Sequence, residues 1–360
     1  MFKALNYWLP AYLRQPKRQS VPGLTHVLVA VCDHFEPFHN AGESTAFERV
    51  AEWKEKFPRL EAFRDVDGCP PRHTFFYPVE QYHPMLLEEI AAVCRATACE
   101  MEIHLHHHRD TAENFRATLQ RGKLRFAQHG LLSRDESGAL RFGFIHGNWA
   151  LDHSHPHGRG CGVRGELPIL RQEGCYADFT FPSAPDPTQP RTINSLYYAS
   201  DTGRTKSHDF GRAARVGYKS SGDLLLVQGP LGLNWDWRKC GIFPRIENAD
   251  LTGANPPTLS RLKLWLDSQI HVRGRPEWLF IKLHTHGAIS PNREMLLGDS
   301  MHRFHQEMAR FFNDHKSRYA LHYVSAREMV NIVHAAEDGC EGSPGAFRDY
   351  RFRSNIVRSA

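Results

Sequence analysis

The chain has 360 residues, 41% of them hydrophobic and 24% charged, with 45 basic against 40 acidic side chains for a formal charge of +5. That balance excludes a disordered chain, and with no domain-sized stretch of one sign it argues against nucleic acid as the main partner. Eight scattered cysteines without a CxxC pair, no secretory-type leader and no apolar run near the roughly 20 residues of a spanning helix lead to the expectation of a reducing, cytoplasmic location.

Residues 1–23 read as an N-terminal amphipathic segment. Phe2, Leu5, Trp8, Leu9, Tyr12 and Leu13 recur at helical spacing beside Lys3 and Arg14, which makes residues 1–14 a candidate for peripheral membrane contact, although Pro10 interrupts the pattern and such a helix also packs on its own domain. His26–Cys32 is a continuously apolar strand ending on Asp33, His34, Phe35 and Glu36. A helix is expected over 46–63, then a strand over 73–77, a helix over 84–96, a strand over 99–106 and a helix from an N-cap at Thr111 to Gln128. The strand 140–145 leads into His146, Gly147, Asn148 and Trp149, and the Gly- and His-rich stretch 151–165 reads as a long loop over the site. A helix-then-strand unit follows over 166–181.

Residues 182–222 read as an excursion from the core, after which strands at 224–228, 278–283 and 319–324 alternate with helices at 258–270, 292–313 and 325–334. Strands alternating with helices and no linker between them predict one α/β domain over 24–335, an irregular (β/α) barrel of about seven parallel strands. A basic tail over 336–360, carrying Arg348, Arg351, Arg353 and Arg358, reads as a solvated segment.

In parallel α/β folds reactive groups collect at the carboxyl ends of strands. Asp33, His34 and Glu36 follow the first strand, His104 to His108 with Asp110 end the third, His146 ends the fourth, and His284 and His286 follow the strand at 278–283. Alternation places Glu102, His104 and His106 on one face, with His108 joining them only if the strand continues, and Ile103 and Leu105 on the other. Several imidazoles on one face with carboxylates nearby point to a divalent metal, most simply zinc, with cobalt, nickel or manganese also compatible. The pairs His104/His108 and His106/Asp110 are alternative ligand registers. Glu36 is either a ligand or the carboxylate that orients one. Trp149, and after it Trp235, Trp237 and Asp236, are candidates to line a sugar cleft, and His153, His155 and His157 read as part of a solvated lid, with a second metal site as the alternative.

These residues resemble the NodB-like polysaccharide deacetylases of carbohydrate esterase family 4. The resemblance rests on Asp33-His34 after the first strand, Thr74-Phe75-Phe76, His83-Pro84 with Glu89-Ile90, Glu102-Ile103-His104-Leu105-His106, Leu283-His284 and the closing strand and helix, across about residues 24 to 334. His34 stands where the family has a second aspartate, Asp110 where it has a second histidine, and His146-Gly147-Asn148-Trp149 where it has an Arg-Pro loop. The resemblance implies the NodB-type barrel and a metal-dependent hydrolase that removes an N-acetyl group from an acetylated amino sugar in a glycan or glycan precursor. It implies Asp33 as general base, His284 as general acid with His286 competing for that role, metal ligands from His34, His104, His106 and Asp110, and substrate contacts from His146, Asn148, Trp149 and His286. Two rival expectations are a hydrolase of a non-sugar amide on the same scaffold and an inactive barrel that binds a glycan or a protein.

Overall fold

A computed structural model of the chain describes residues 4–15, 21–218 and 222–356. Its centre is a large, mostly parallel sheet. The strand β1 (Thr25–His34) pairs in parallel on one side with β13 (Trp278–Thr285) and on the other with β14 (Tyr319–Tyr323) and then β2 (Thr74–Pro78). The sheet continues in parallel through β3 (Glu100–Leu105), β5 (Leu140–His146), β6 (Cys175–Asp178) and β9 (Leu224–Val227), with the short β12 (Asp250–Leu251) on the far side of β13.

Among the described residues the strand pairing does not close into the expected barrel. Antiparallel β7 (Leu196–Ala199), itself paired with β8 (Arg212–Ala213), takes one edge of β9, and β12 takes the outer edge of β13, so the segment read as an excursion joins the sheet, while Gly229 just after β9 lies against the Lys282 carbonyl of β13. The sheet is therefore strongly curved but open. Its concave side is filled by α9 (Ala326–Glu337), every residue of which is buried. Met329, Val330 and Val333 of this helix share one apolar cluster with Leu28 and Cys32 of β1, Phe280 of β13 and Leu225 of β9. A capping box between Ser325 and Glu328 starts the helix, and Arg327 pairs with Glu100 at 2.7 Å.

The convex side carries the amphipathic helices α2 (Glu43–Lys56), α3 (Pro84–Ala96), α4 (Ala112–Gln128), α5 (Glu166–Gln172), α6 (Leu259–Asp267), α7 (Asn292–Leu297) and α8 (Asp299–Asp314). Trp53, Leu86, Phe115, Leu167, Trp265 and Phe304 pack against Val27, Val29 and Val31 and their neighbours. Thr111 caps α4 by accepting the Asn114 N–H at 3.1 Å, as its sequence position predicts. The helix expected over 292–313 is instead two, broken at extended Gly298.

The N-terminal helix packs on its own domain, one of its two expected placements, while the C-terminal segment departs from the solvated tail expected of it. The helix α1 (Leu5–Arg14) buries Trp8 against Ala184, Ile193 and Leu231, with Leu5, Leu9 and Tyr12 on the same patch, while Leu13 is exposed; Phe2 and Lys3 lie outside the described residues. The basic tail is a strap: Arg348 is buried against Asp65 and Asp67 at 3.0 and 2.9 Å, and β15 (Arg353–Ser354) pairs with β4 (Ser133–Arg134) beside β5. Arg358 lies outside the described residues. No helix among the described residues is long and apolar enough to cross a membrane.

Candidate metal centre

Strand alternation decides which of two adjacent residues reaches the site. Val27, Val29 and Val31 face the helices and Leu28, Ala30 and Cys32 face the concave side, so Asp33 continues the first set and His34 the second. His34 is 1% exposed, and its ring lies 5.0 Å from that of His104, 4.6 Å from His286 and 6.3 Å from His284. Both of its ring nitrogens are buried without a hydrogen-bond partner among the described residues. Burial, followed by the neighbouring imidazoles, holds its pKa well below the usual histidine range, so the ring is neutral with a lone pair to offer.

Glu36, two residues on, returns to the same side and meets the histidines of β3. Its Oε1 lies 3.3 Å from His104 Nε2 and 3.6 Å from His106 Nε2. The opposite nitrogen of each ring is held: His104 Nδ1 donates to the Ile145 carbonyl at 3.1 Å, and His106 Nδ1 donates to Glu80 Oε1 at 2.6 Å. A carbonyl oxygen only accepts, so the His104 proton sits on Nδ1 and its Nε2 lone pair faces the carboxylate. Tethering one imidazole nitrogen to a carbonyl or carboxylate while the other converges on a common point is the usual way a metal-binding histidine is oriented.

His34, Glu36 and His104 bring one ligand atom each within 4.8 Å of one another, and His106 adjoins them. A buried, unpaired polar nitrogen costs on the order of 1–3 kcal/mol, so His34 Nδ1, His34 Nε2 and His104 Nε2 together need a compensating partner. Two or three neutral imidazoles and a carboxylate suit a divalent first-row ion with open positions. The residues therefore fit such an ion, with Glu80 and the Ile145 carbonyl behind them.

Asp33 is placed elsewhere. It is fully buried on the helix side, where its Oδ2 meets His73 Nε2 at 2.8 Å and its Oδ1 accepts the Gly287 N–H at 2.6 Å. A β-carbon on Gly287 would fall 2.2 Å from the Asp33 carboxylate, and Trp53 Nε1 donates to the Gly287 carbonyl at 3.1 Å. Asp33 thus clamps the turn after β13 with both of its carboxylate oxygens engaged, a placement to be set beside its expected role as general base. The turn it clamps carries His286, which lines the cleft, whereas His284 shares the register position of Cys32, is 5% exposed and sits deeper, its Nδ1 unpartnered.

The Glu102–His108 run also departs from its expected alternation. Regular pairing stops at Leu105, the chain turns, and His107 swings inward while His108 is exposed at the mouth of the cleft. Asp110 goes with His107, accepting at 3.2 Å from its Nδ1, and also takes the Thr111 N–H and the Asn114 side-chain amide, both at 2.7 Å. It is therefore not brought to His34 and His104, and neither alternative register describes the cluster.

A second buried group comprises His107, His146 and Glu166. His107 Nε2 reaches Glu166 Oε1 at 3.0 Å; burial opposes its charge, but Glu166 and Asp110 outweigh this and raise its pKa. His146, expected to contact substrate, is fully buried. Its Nδ1 accepts the Asn148 N–H at 3.1 Å, so in the neutral ring Nε2 carries the proton and has no lone pair for a metal. This group is an ionic clasp between the start of α4, the end of β5 and α5. The third acidic group, Asp65 and Asp67 with His322, is filled by the Arg348 guanidinium.

An open cleft of about 870 Å³ lies above Glu36 and His106, walled by Asn148, Trp149 and His286 and by His155, Arg159 and Gly160 of the Gly- and His-rich loop. That loop is tied down by the Arg109 N–H to the Cys161 carbonyl and the Asp110 N–H to the Gly162 carbonyl. Trp149 stands 6.3 Å from the His286 ring. Trp235, Trp237 and Asp236 are not in this wall. No protein-family model matches the chain, and no curated protein matches it in sequence. Among solved structures the chain is similar to one described as a "putative polysaccharide deacetylase from Mycobacterium smegmatis", with 14% identity and a TM-score of 0.39, over 85% of this chain and 96% of that one.

Proposed function

We propose that the protein is a metal-dependent hydrolase that removes an N-acetyl group from an acetylated amino sugar in a glycan or glycan precursor. The observation that carries this reading is the convergence of buried His34 and His104 with Glu36 and His106, which line an open cleft, the far nitrogens of His104 and His106 being already tethered. The choice of substrate rests on the resemblance of Thr74-Phe75-Phe76, Glu102–His106 and Leu283-His284 to the NodB-like deacetylases. We assign the ligand set to His34, Glu36, His104 and His106, replacing Asp110 by Glu36. When bound, a divalent ion supplies Lewis-acid polarisation of an amide carbonyl and brings the pKa of its water towards neutrality.

The chain's own residues do the rest. His286, on the cleft wall over His34, handles the proton passing to the departing amine, with His284 beneath it as the other imidazole on that strand end. Asp33 positions His286 by fixing the Gly287 N–H. Asn148 and Trp149 offer an amide and a flat aromatic face to a sugar ring, and the loop 151–165 narrows access of water. The test is acetate release from N-acetylated amino-sugar oligomers before and after chelation: chelator-sensitive release supports the proposal, while release from small non-sugar amides alone replaces the substrate class.

A further inference from the structure

Outside the cleft, the most unusual surface is a two-stranded hairpin, β10 (Gly232–Lys239) and β11 (Phe243–Glu247), which forms a separate sheet. It leaves the main sheet after the carboxyl end of β9 and returns at Asp250, which pairs with His284, so it rises from the same rim as the candidate metal centre. Its turn has φ of 50° at Cys240 and 68° at Gly241, with the Ile242 N–H bonded to the Lys239 carbonyl, a tight turn of the hairpin type. Near the tip Asn234 Oδ1 accepts the N–H groups of Asp236 and Trp237, and the register shifts between Asn234 and Arg238.

The tip presents Trp235 (52% exposed), Trp237 (40%), Ile242 (66%) and Phe243 (66%) to solvent, a concentration of large apolar side chains that folded domains avoid without a partner. Arg238, Lys239 and Arg245 stand among them against one carboxylate, Asp236. The Arg245 guanidinium covers the Trp237 ring at 3.8 Å and Arg238 lies 5.7 Å from that of Trp235, so both aromatic faces are shared with cations instead of being free to stack on sugars. A convex, cationic tip of Trp, Phe and Ile matches a bilayer surface, where indole rings settle at the headgroup level and basic residues meet anionic lipid. The base is stiffened from behind by α1, whose Tyr12 lies against Gly232.

We infer that the β10–β11 hairpin docks the protein on an anionic membrane surface, with Trp235, Trp237, Ile242 and Phe243 entering the headgroup region and Arg238, Lys239 and Arg245 pairing with acidic lipid. This moves the expected membrane contact from residues 1–14 to the hairpin, and it stands apart from the proposed reaction because its readout is lipid binding.

The test is flotation of the full chain with phosphatidylcholine vesicles with and without phosphatidylserine, at low and high salt, with brominated lipid as a tryptophan quencher. The expected result is binding to the anionic vesicles, weakened by salt, with quenching, and a loss of about tenfold or more in the Trp235→Ser/Phe243→Ser variant. Arg238→Glu/Lys239→Glu should lose binding as well and serves if the first variant does not fold. No binding to anionic vesicles, binding unchanged by both tip variants, or loss only on Leu13→Ser in α1 would overturn the inference. So would a tip variant that changes the sedimentation mass of the protein, which would make the hairpin an interface between copies.

Discussion

His106 and Glu80 form a 2.6 Å hydrogen bond that fixes which ring nitrogen of His106 is turned to Glu36. Glu80 is far from the other cluster residues in sequence, and a short 3-10 turn, Val79–Gln81 after β2, brings it there. Removing such a tether commonly weakens a metal site by about 10- to 100-fold. Glu80→Ala should therefore lower metal affinity by that order in a competition titration, while the thermal midpoint of the metal-free protein changes little. Unchanged affinity would remove Glu80 from the centre.

Asp33 is expected to behave as a structural clamp. Asp33→Ala strands the Gly287 N–H and the His73 ring, at a cost of about 2–4 kcal/mol. The predicted outcome is a thermal midpoint several degrees lower, a retained metal and a reduced but measurable turnover. A variant that keeps wild-type stability and loses all turnover would return Asp33 to the chemistry.

His286→Ala is predicted to keep its metal and to lose about 100-fold or more in kcat, with KM less affected. If His284→Ala shows that split instead and His286→Ala does not, the deeper imidazole is the proton carrier.

Far from the cleft, His305 gives the fold a dependence on pH. It is buried, bonded to Tyr323 at 3.0 Å and stacked on Phe63, and burial with the neighbouring His302 lowers its pKa to about 3. Between the ordinary histidine value of 6.5 and about 3, the unfolded chain binds a proton that the folded chain refuses. Its neutral form thus favours the fold fully above the unfolded pKa, and this is lost as pH falls through that window. His305→Phe should show a smaller drop in thermal midpoint between neutral pH and mildly acid pH than wild type; an equal drop would contradict the assignment.

What could be read from the sequence follows from which information is local. His104 and Glu102 opposite Ile103 and Leu105 are a strand pattern, and the structure has it. Glu36 was legible as a ligand or an orienting carboxylate from its place after the first strand, but which of the two was not, because the apolar run that marked the strand ends earlier. Asp110 was grouped with the ligands from motif spacing, which cannot show that the chain turns at His107. Glu80 gave no signal, because its partnership depends on the turn after β2. The parallel strands were legible from alternating apolar runs and helices. The failure of the sheet to close was not, because it depends on β7 taking the edge of β9, a long-range pairing with no local mark. Trp235 and Trp237 could only be offered as lesser cleft candidates, because tryptophan content tells nothing of which way a hairpin points.

The most direct test of the proposed centre is the metal content of the purified protein beside four variants: His34→Ala, Glu36→Gln, His104→Ala and Asp110→Ala. We predict about one divalent ion per chain, lost in the first three variants and retained in Asp110→Ala. No stoichiometric metal in the wild-type protein after reconstitution, or loss in Asp110→Ala with retention in Glu36→Gln, would contradict the centre described here.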